Sequence, residues 1–163
     1  MTDEHRSKTA GVIAPPPLIA LAMLGLGIGL NYLLRWMFLE ALAPIIRLPV
    51  AGLLLVTAGA CLLTANGLFQ RANTSVKPWV STSALVTTGI YRYTRNPMYV
   101  GFLLISFAIA IGLALEGVLV STCLLWMILH FGVIKREERY LTVLFGQEYK
   151  DYCQQVSRYG FGL

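Results

Sequence analysis

Residues 96–140 read NPMYVGFLLISFAIAIGLALEGVLVSTCLLWMILHFGVIKREERY. Between Pro97 and Ile134 the only charged side chain is Glu116, and Glu116-Gly117 divides the run into two apolar blocks, about 97–115 and 118–134. Blocks of about this length cross a bilayer as helices. A two-residue link makes such helices fold back antiparallel. The polar residues before Pro97 and the charged residues after Ile134 then become neighbours at one membrane surface, although the whole hairpin separates them in the chain.

Two more apolar blocks, about 18–38 and 48–69, precede this hairpin. Over the 163 residues, 56% are hydrophobic and 13% charged, about half the charge of a soluble domain. The expected fold is all-α: a polytopic membrane protein of about four transmembrane helices, followed by a cytoplasmic amphipathic helical segment at the carboxyl terminus. Residues 1–16 read as a polar cytoplasmic arm ending in prolines, and 17–163 as one membrane domain. A cleaved signal peptide does not fit. The first block is too long, its leader carries Asp3 and Glu4, and Pro44 directly follows the small-residue run at 41–43.

The basic residues give the orientation. Eleven of the thirteen fall on one side when four crossings are counted: Arg6 and Lys8; Arg71, Lys77, Arg92 and Arg95; and Lys135, Arg136, Arg139, Lys150 and Arg158. Only Arg35 and Arg47 fall on the other. An excess of Lys and Arg marks the cytoplasmic side, so both termini and the linker 70–96 are expected there, with the protein in the cytoplasmic membrane. Cys61, Cys123 and Cys153 are odd in number and far apart; they suggest neither a disulfide framework nor a metal site.

GLGIG at 25–29 lies inside an apolar block with no strand before it. It reads as helix packing through Gly25 and Gly29, at small-xxx-small spacing, and Ala58, Gly59 and Ala60 read the same way.

Two stretches carry chemistry. In GIYRYTRNPMYVG, 89–101, Asn96 is expected to cap a helix that starts at Pro97. Arginines and tyrosines suit a lipid interface, but uncovered N–H groups at a helix start also suit an anionic ligand group. At the other end stand Glu137 and Glu138, with His130 seven residues before Glu137. In a regular helix that spacing puts both on roughly one side, and a histidine in an apolar helix faces protein or a water-filled cavity. Beyond them Leu141, Leu144, Phe145, Tyr149, Tyr152 and Val156 recur at helical spacing, with Gly146 placed to break the run. These features describe either a membrane enzyme or a small membrane binder or transporter.

LVTTGIYRYTRNPMYVG, followed by EERYLTVLFGQEYKDY, resembles the isoprenylcysteine carboxyl methyltransferases and their relatives, the phospholipid methyltransferases. The resemblance covers about residues 70–158. It implies an integral membrane enzyme that moves a methyl group from S-adenosylmethionine to a lipophilic acceptor drawn from the bilayer; nucleic acid is not an expected partner. Matched motif to motif, it implies that Ser83, Ala84, Leu85, Val86, Tyr91, Asn96, Pro97, Met98, Tyr99 and Glu137 contact the cofactor. For catalysis His130 and Glu138 are the candidate proton acceptors, and Arg136 is a candidate for holding the acceptor. Asn96 stands where the family's carboxyl methyltransferases carry histidine. Val133 stands where they carry the arginine that holds a substrate carboxylate. A lipid amine, a thiol and a lipophilic acid therefore all stay open as acceptors.

Overall fold

The computed structural model describes residues 10–34, 38–73 and 83–160. The charged part of the amino-terminal arm, with Arg6 and Lys8, as well as Arg35 and Lys77, lies outside the described residues. Among the described residues six α-helices follow one another: α1 Pro16–Leu34, α2 Pro44–Arg71, α3 Pro97–Leu113, α4 Glu116–Leu129, α5 Lys135–Phe145 and α6 Gln147–Gln155. A 3-10 turn, Gly89–Arg92, precedes α3, and a π-helical turn, His130–Ile134, joins α4 to α5. There is no strand among the described residues. Among the described residues three helical stretches are long and apolar enough to span a membrane: Pro16–Leu33, Pro44–Arg71 and Glu116–Phe145, the last running through α4, the π turn and α5. The shorter apolar α3 lies beside them. This is an all-α membrane protein.

The hairpin α3–α4 forms the middle of the bundle. α2 packs along α3, and α1 packs along α4, so the first two helices clamp the hairpin from opposite sides. Each seam is built from small residues. On α2, Ala51, Ala58 and Ala65 are buried at seven-residue intervals, two turns apart and hence on one face. A Cβ built on Gly101 of α3 would meet Leu62 and the carbonyl oxygen of Ala58; one on Gly112 would meet Ala51. On the other seam Gly27, not Gly25 or Gly29, makes the close approach. A Cβ on Gly27 would lie 2.6 Å from the Val118 Cα, whereas one on Gly25, Gly29 or Gly59 would meet nothing within 4 Å. Small-xxx-small spacing marks a face that can pack closely; the neighbour decides which face is used.

The link between α3 and α4 is tighter than its sequence suggests. α4 begins at Glu116 itself, and Ala114 takes a left-handed conformation at the end of α3 (φ 52°). Its neighbour Leu115 donates its N–H to Ala110 at 2.8 Å, the bond of a helix stop normally made with glycine. Glu116 is not a solvated loop charge. It is 1% exposed and accepts the Leu39 N–H at 2.7 Å, fixing the α1–α2 connection to the hairpin tip.

At the opposite end, residues 10–15 do not hang free. Val12 and Ala14 pack on the core formed by Ile19, Tyr99, Leu125, Leu129, Val133 and Ile134. Ile13 donates its N–H to Gly132 at 3.4 Å. Gly146 (φ 56°) ends α5 and starts α6. α6 then folds back, so that Tyr149, Tyr152 and Val156 bury against Leu85, Leu141 and Phe145. The amphipathic stripe of the tail is used against the chain itself.

Candidate active site

The 3-10 turn, the start of α3, α5 and α6 line a cleft that opens to solvent. Gly89 shapes its approach. It has φ +60°, a conformation that favours glycine. The turn directs Tyr91 inward against Phe69, with ring centroids 5.6 Å apart, and leaves Tyr93 76% exposed. The three tyrosines of GIYRYTRNPMYVG thus divide: Tyr91 and Tyr99 line the cleft, and Tyr93 faces outward. Burial pushes the Tyr91 and Tyr152 hydroxyls well above the usual tyrosine range. Both stay neutral, and Tyr152 donates its O–H to the Tyr91 carbonyl at 2.7 Å.

α3 starts at Asn96-Pro97 as expected, but the Asn96 side chain makes no capping bond. It donates instead to the Arg158 carbonyl at 3.1 Å. The first turn of α3 is therefore left without a side-chain cap, and Pro97, Met98 and Tyr99 line the cleft there. Opposite them, Glu137 Oε1 accepts the Tyr99 O–H at 2.6 Å across 38 positions of sequence. The hairpin brings the two ends together as its topology required.

Glu138 lines the cleft as well, but its carboxylate is engaged by arginines. Its two oxygens accept from Arg158 Nε and Nη2 at 2.8 and 2.7 Å, and Arg95 Nη2 lies 3.2 Å from Oε1. The hydrogen bonds to Glu138 raise the Arg158 pKa beyond its already high value. Arg95 also donates to Cys153. The Arg158 carbonyl accepts from Thr94 Oγ1 at 3.1 Å, and Arg95 donates its N–H to the Ser157 carbonyl at 3.1 Å. Residues 157 and 158 thereby tie the loop before α3 to α5.

Of the ten positions expected to contact a cofactor, Ala84, Leu85, Val86, Tyr91, Asn96, Pro97, Met98, Tyr99 and Glu137 line this one cleft. Ser83 does not; its hydroxyl donates to the Asn73 carbonyl at 3.4 Å, at the end of α2. Of the three catalytic candidates only Glu138 lines it. His130 pairs with the Tyr159 hydroxyl at 2.6 Å beside Trp126. Arg136 donates to the Gly11 carbonyl at 2.8 Å, holding the amino-terminal segment. The π turn separates His130 from Glu137. It takes about one residue more than the 3.6 of an α-helix, so seven residues no longer return to one face. Val133 is wholly buried in the apolar core. Ala10, Phe69, Arg95, Tyr140, Leu141, Tyr149 and Tyr152 complete the cleft. The i, i+3 tyrosines of QEYKDY were the available sign of the last two.

The phospholipid methyltransferase family profile matches residues 46–148. The protein-S-isoprenylcysteine O-methyltransferase of Rattus norvegicus is 34% identical over 134 residues, covering 78% of this chain and 46% of that protein. The human enzyme of the same name is 33% identical over 132 residues, with the same shares covered. That of Schizosaccharomyces pombe is 43% identical over 76 residues, 44% of this chain and 30% of that protein. The chain thus spans about half the length or less of these curated relatives. No solved structure matches. The profile covers most of α2, the whole hairpin and α5 with the start of α6, which includes most of the residues that line the cleft, and so the chain belongs to the phospholipid methyltransferase family.

Proposed function

We propose that this protein is a membrane methyltransferase whose cleft binds S-adenosylmethionine at the cytoplasmic face and serves a lipophilic acceptor arriving from the bilayer. One observation carries the reading. Nine motif positions from the linker, α3 and α5 converge on one cleft, with Glu137 against Tyr99 at the uncapped start of α3.

The donor set fits the cofactor. The first-turn N–H groups of α3 suit the carboxylate of its methionine part. Glu137 suits an ammonium or ribose hydroxyls through charge-assisted hydrogen bonds. Tyr91, Tyr140, Tyr149 and Tyr152 offer aromatic faces for a purine or a cationic sulfonium. When bound, the sulfonium supplies an electrophilic methyl group. The protein's part is positioning, which can supply several kcal/mol of a two-partner reaction barrier, about 7–11 kcal/mol in favourable cases. Glu138, engaged by two arginines, holds the tail over the cleft. His130 and Arg136 lie outside it and hold neighbouring segments. The acceptor best suited to the site carries no formal negative charge, because Val133 offers no cation and Arg95 is already paired with Glu138. A lipid amine or thiol meets that condition.

The test is calorimetric titration with S-adenosylhomocysteine, followed by methyl-labelled S-adenosylmethionine with a membrane lipid extract. The wild type should bind and should label a lipophilic product. Glu137→Gln should bind about tenfold more weakly, the loss of one charge-assisted hydrogen bond. A wild type that binds no S-adenosylhomocysteine would overturn the reading.

A further inference from the structure

A second, shallow groove shares the Arg95–Glu138 pair with the cleft. Arg95, Glu138 and Tyr149 line both it and the cleft; the rest of its wall includes Phe131, Lys135, Arg139, Val143 and Arg158. It carries four cations against one carboxylate, Glu138, among the described residues. That carboxylate is already taken by Arg95 and Arg158. Lys135 and Arg139 have no carboxylate partner there. Lys135 Nζ sits 4.7 Å over the Phe131 ring, and Arg139 Nε donates only to the Lys135 carbonyl, at 3.3 Å. Excess positive charge therefore borders this groove in exposed positions.

Its level in the bundle matters as much as its charge. The spanning helix starts at Glu116, so Lys135 lies about 29 Å along it at 1.5 Å per residue, where a hydrocarbon core of about 30 Å ends. Counted from Glu116 in the same way, Arg139 falls one turn further, at headgroup depth. Phe131, one turn before Lys135, is 57% exposed and on the same count falls at acyl-chain depth. Apolar surface below and unpaired cations above match an anionic amphiphile. Neutral zwitterionic lipid gains nothing from the excess charge.

We propose that this groove is a binding site for the phosphate of an anionic membrane lipid, held by Lys135 and Arg139 with an acyl chain against Phe131. It is distinct from the cofactor cleft and separated from it by the Arg95–Glu138 wall. The proposal stands whether or not the cleft transfers methyl groups, and its test reads lipid, not turnover.

Delipidated protein in neutral detergent is offered phosphatidylglycerol or phosphatidylcholine, and bound lipid is counted by native mass spectrometry. The wild type should take up phosphatidylglycerol at about thirtyfold lower concentration, the preference expected of two cations beside an anionic headgroup. Lys135→Gln with Arg139→Gln should abolish the difference without moving the melting temperature. Lys135→Arg with Arg139→Lys should keep it. Millimolar inorganic phosphate should leave the bound lipid in place. Equal uptake of both lipids by the wild type, or an unchanged preference in the glutamine variant, would overturn the proposal. Displacement by inorganic phosphate would also overturn it, because the groove would then read free phosphate.

Discussion

Gly117→Ala tests whether the α1–α4 seam depends on backbone contact. A Cβ on Gly117 would fall 2.3 Å from the Gly27 carbonyl oxygen and 2.4 Å from the Asn31 backbone nitrogen. Both are backbone atoms, which no rotamer change can move aside. Ordinary Cβ contacts begin at 3.4 Å, so the helices must part locally by about 1 Å, the difference between that limit and the 2.3 Å contact. Such overpacking costs about 1–3 kcal/mol. Parting them also strains the bond from the Gly117 N–H to Asn31 Oδ1, 3.3 Å long, worth about 0.6 kcal/mol inside a membrane. The expected loss is about 2–3 kcal/mol. Unfolding in mixed micelles with increasing dodecyl sulfate measures it. Gly27→Ala meets the same seam from the other side, so the two losses should not add in the double variant. Gly25→Ala and Gly29→Ala, with nothing within 4 Å, should stay within about 0.5 kcal/mol of wild type. Equal losses at all four glycines, or a neutral Gly117→Ala, would refute the seam.

Three other substitutions probe separate parts. Val133→Arg places a charge in the core of Leu125, Leu129 and Ile134; it should lower the micelle unfolding midpoint and give no gain in methylation of a farnesylated thioether acid. Arg158→Ala removes the bidentate bond to Glu138 and should expose the tail, read as faster proteolysis after residue 146 and weaker S-adenosylhomocysteine binding. Ala114→Gly relieves a left-handed alanine and should stabilise the bundle by about 0.5–1 kcal/mol in the same unfolding assay.

The hairpin was legible because one charge, Glu116, interrupts a long apolar run, and topology then had to bring its open ends together. That alone brings Glu137 to the start of α3. What stayed hidden depended on register. GLGIG contains three glycines, and only the partner helix selects Gly27. The alternation of Ala51, Ala58 and Ala65 was present in the sequence, yet a stripe of alanines in an apolar helix looks like any other apolar content. The π turn carries no proline to announce it, so the His130–Glu137 spacing read as regular. Glu116 read as a loop charge because its partner, the Leu39 N–H, is a backbone group that side-chain chemistry cannot signal. The tail's fold-back onto Leu85 required knowing where Leu85 lies.

The tail also explains why Asn96 is not an ordinary cap. Its side chain reaches the Arg158 carbonyl, and Thr94 reaches the same oxygen. The Arg158 guanidinium meanwhile holds Glu138, next to Glu137. One residue therefore joins the start of α3 to α5, the two walls of the cleft, through its backbone and its side chain at once. An Asn96 turned back to cap α3 would break that junction and cover the N–H groups that the cleft leaves open. The same geometry places Arg95 and Glu138 between the cleft and the basic groove. A change in how Glu138 is shared between its two arginines would therefore reach both sides of that wall.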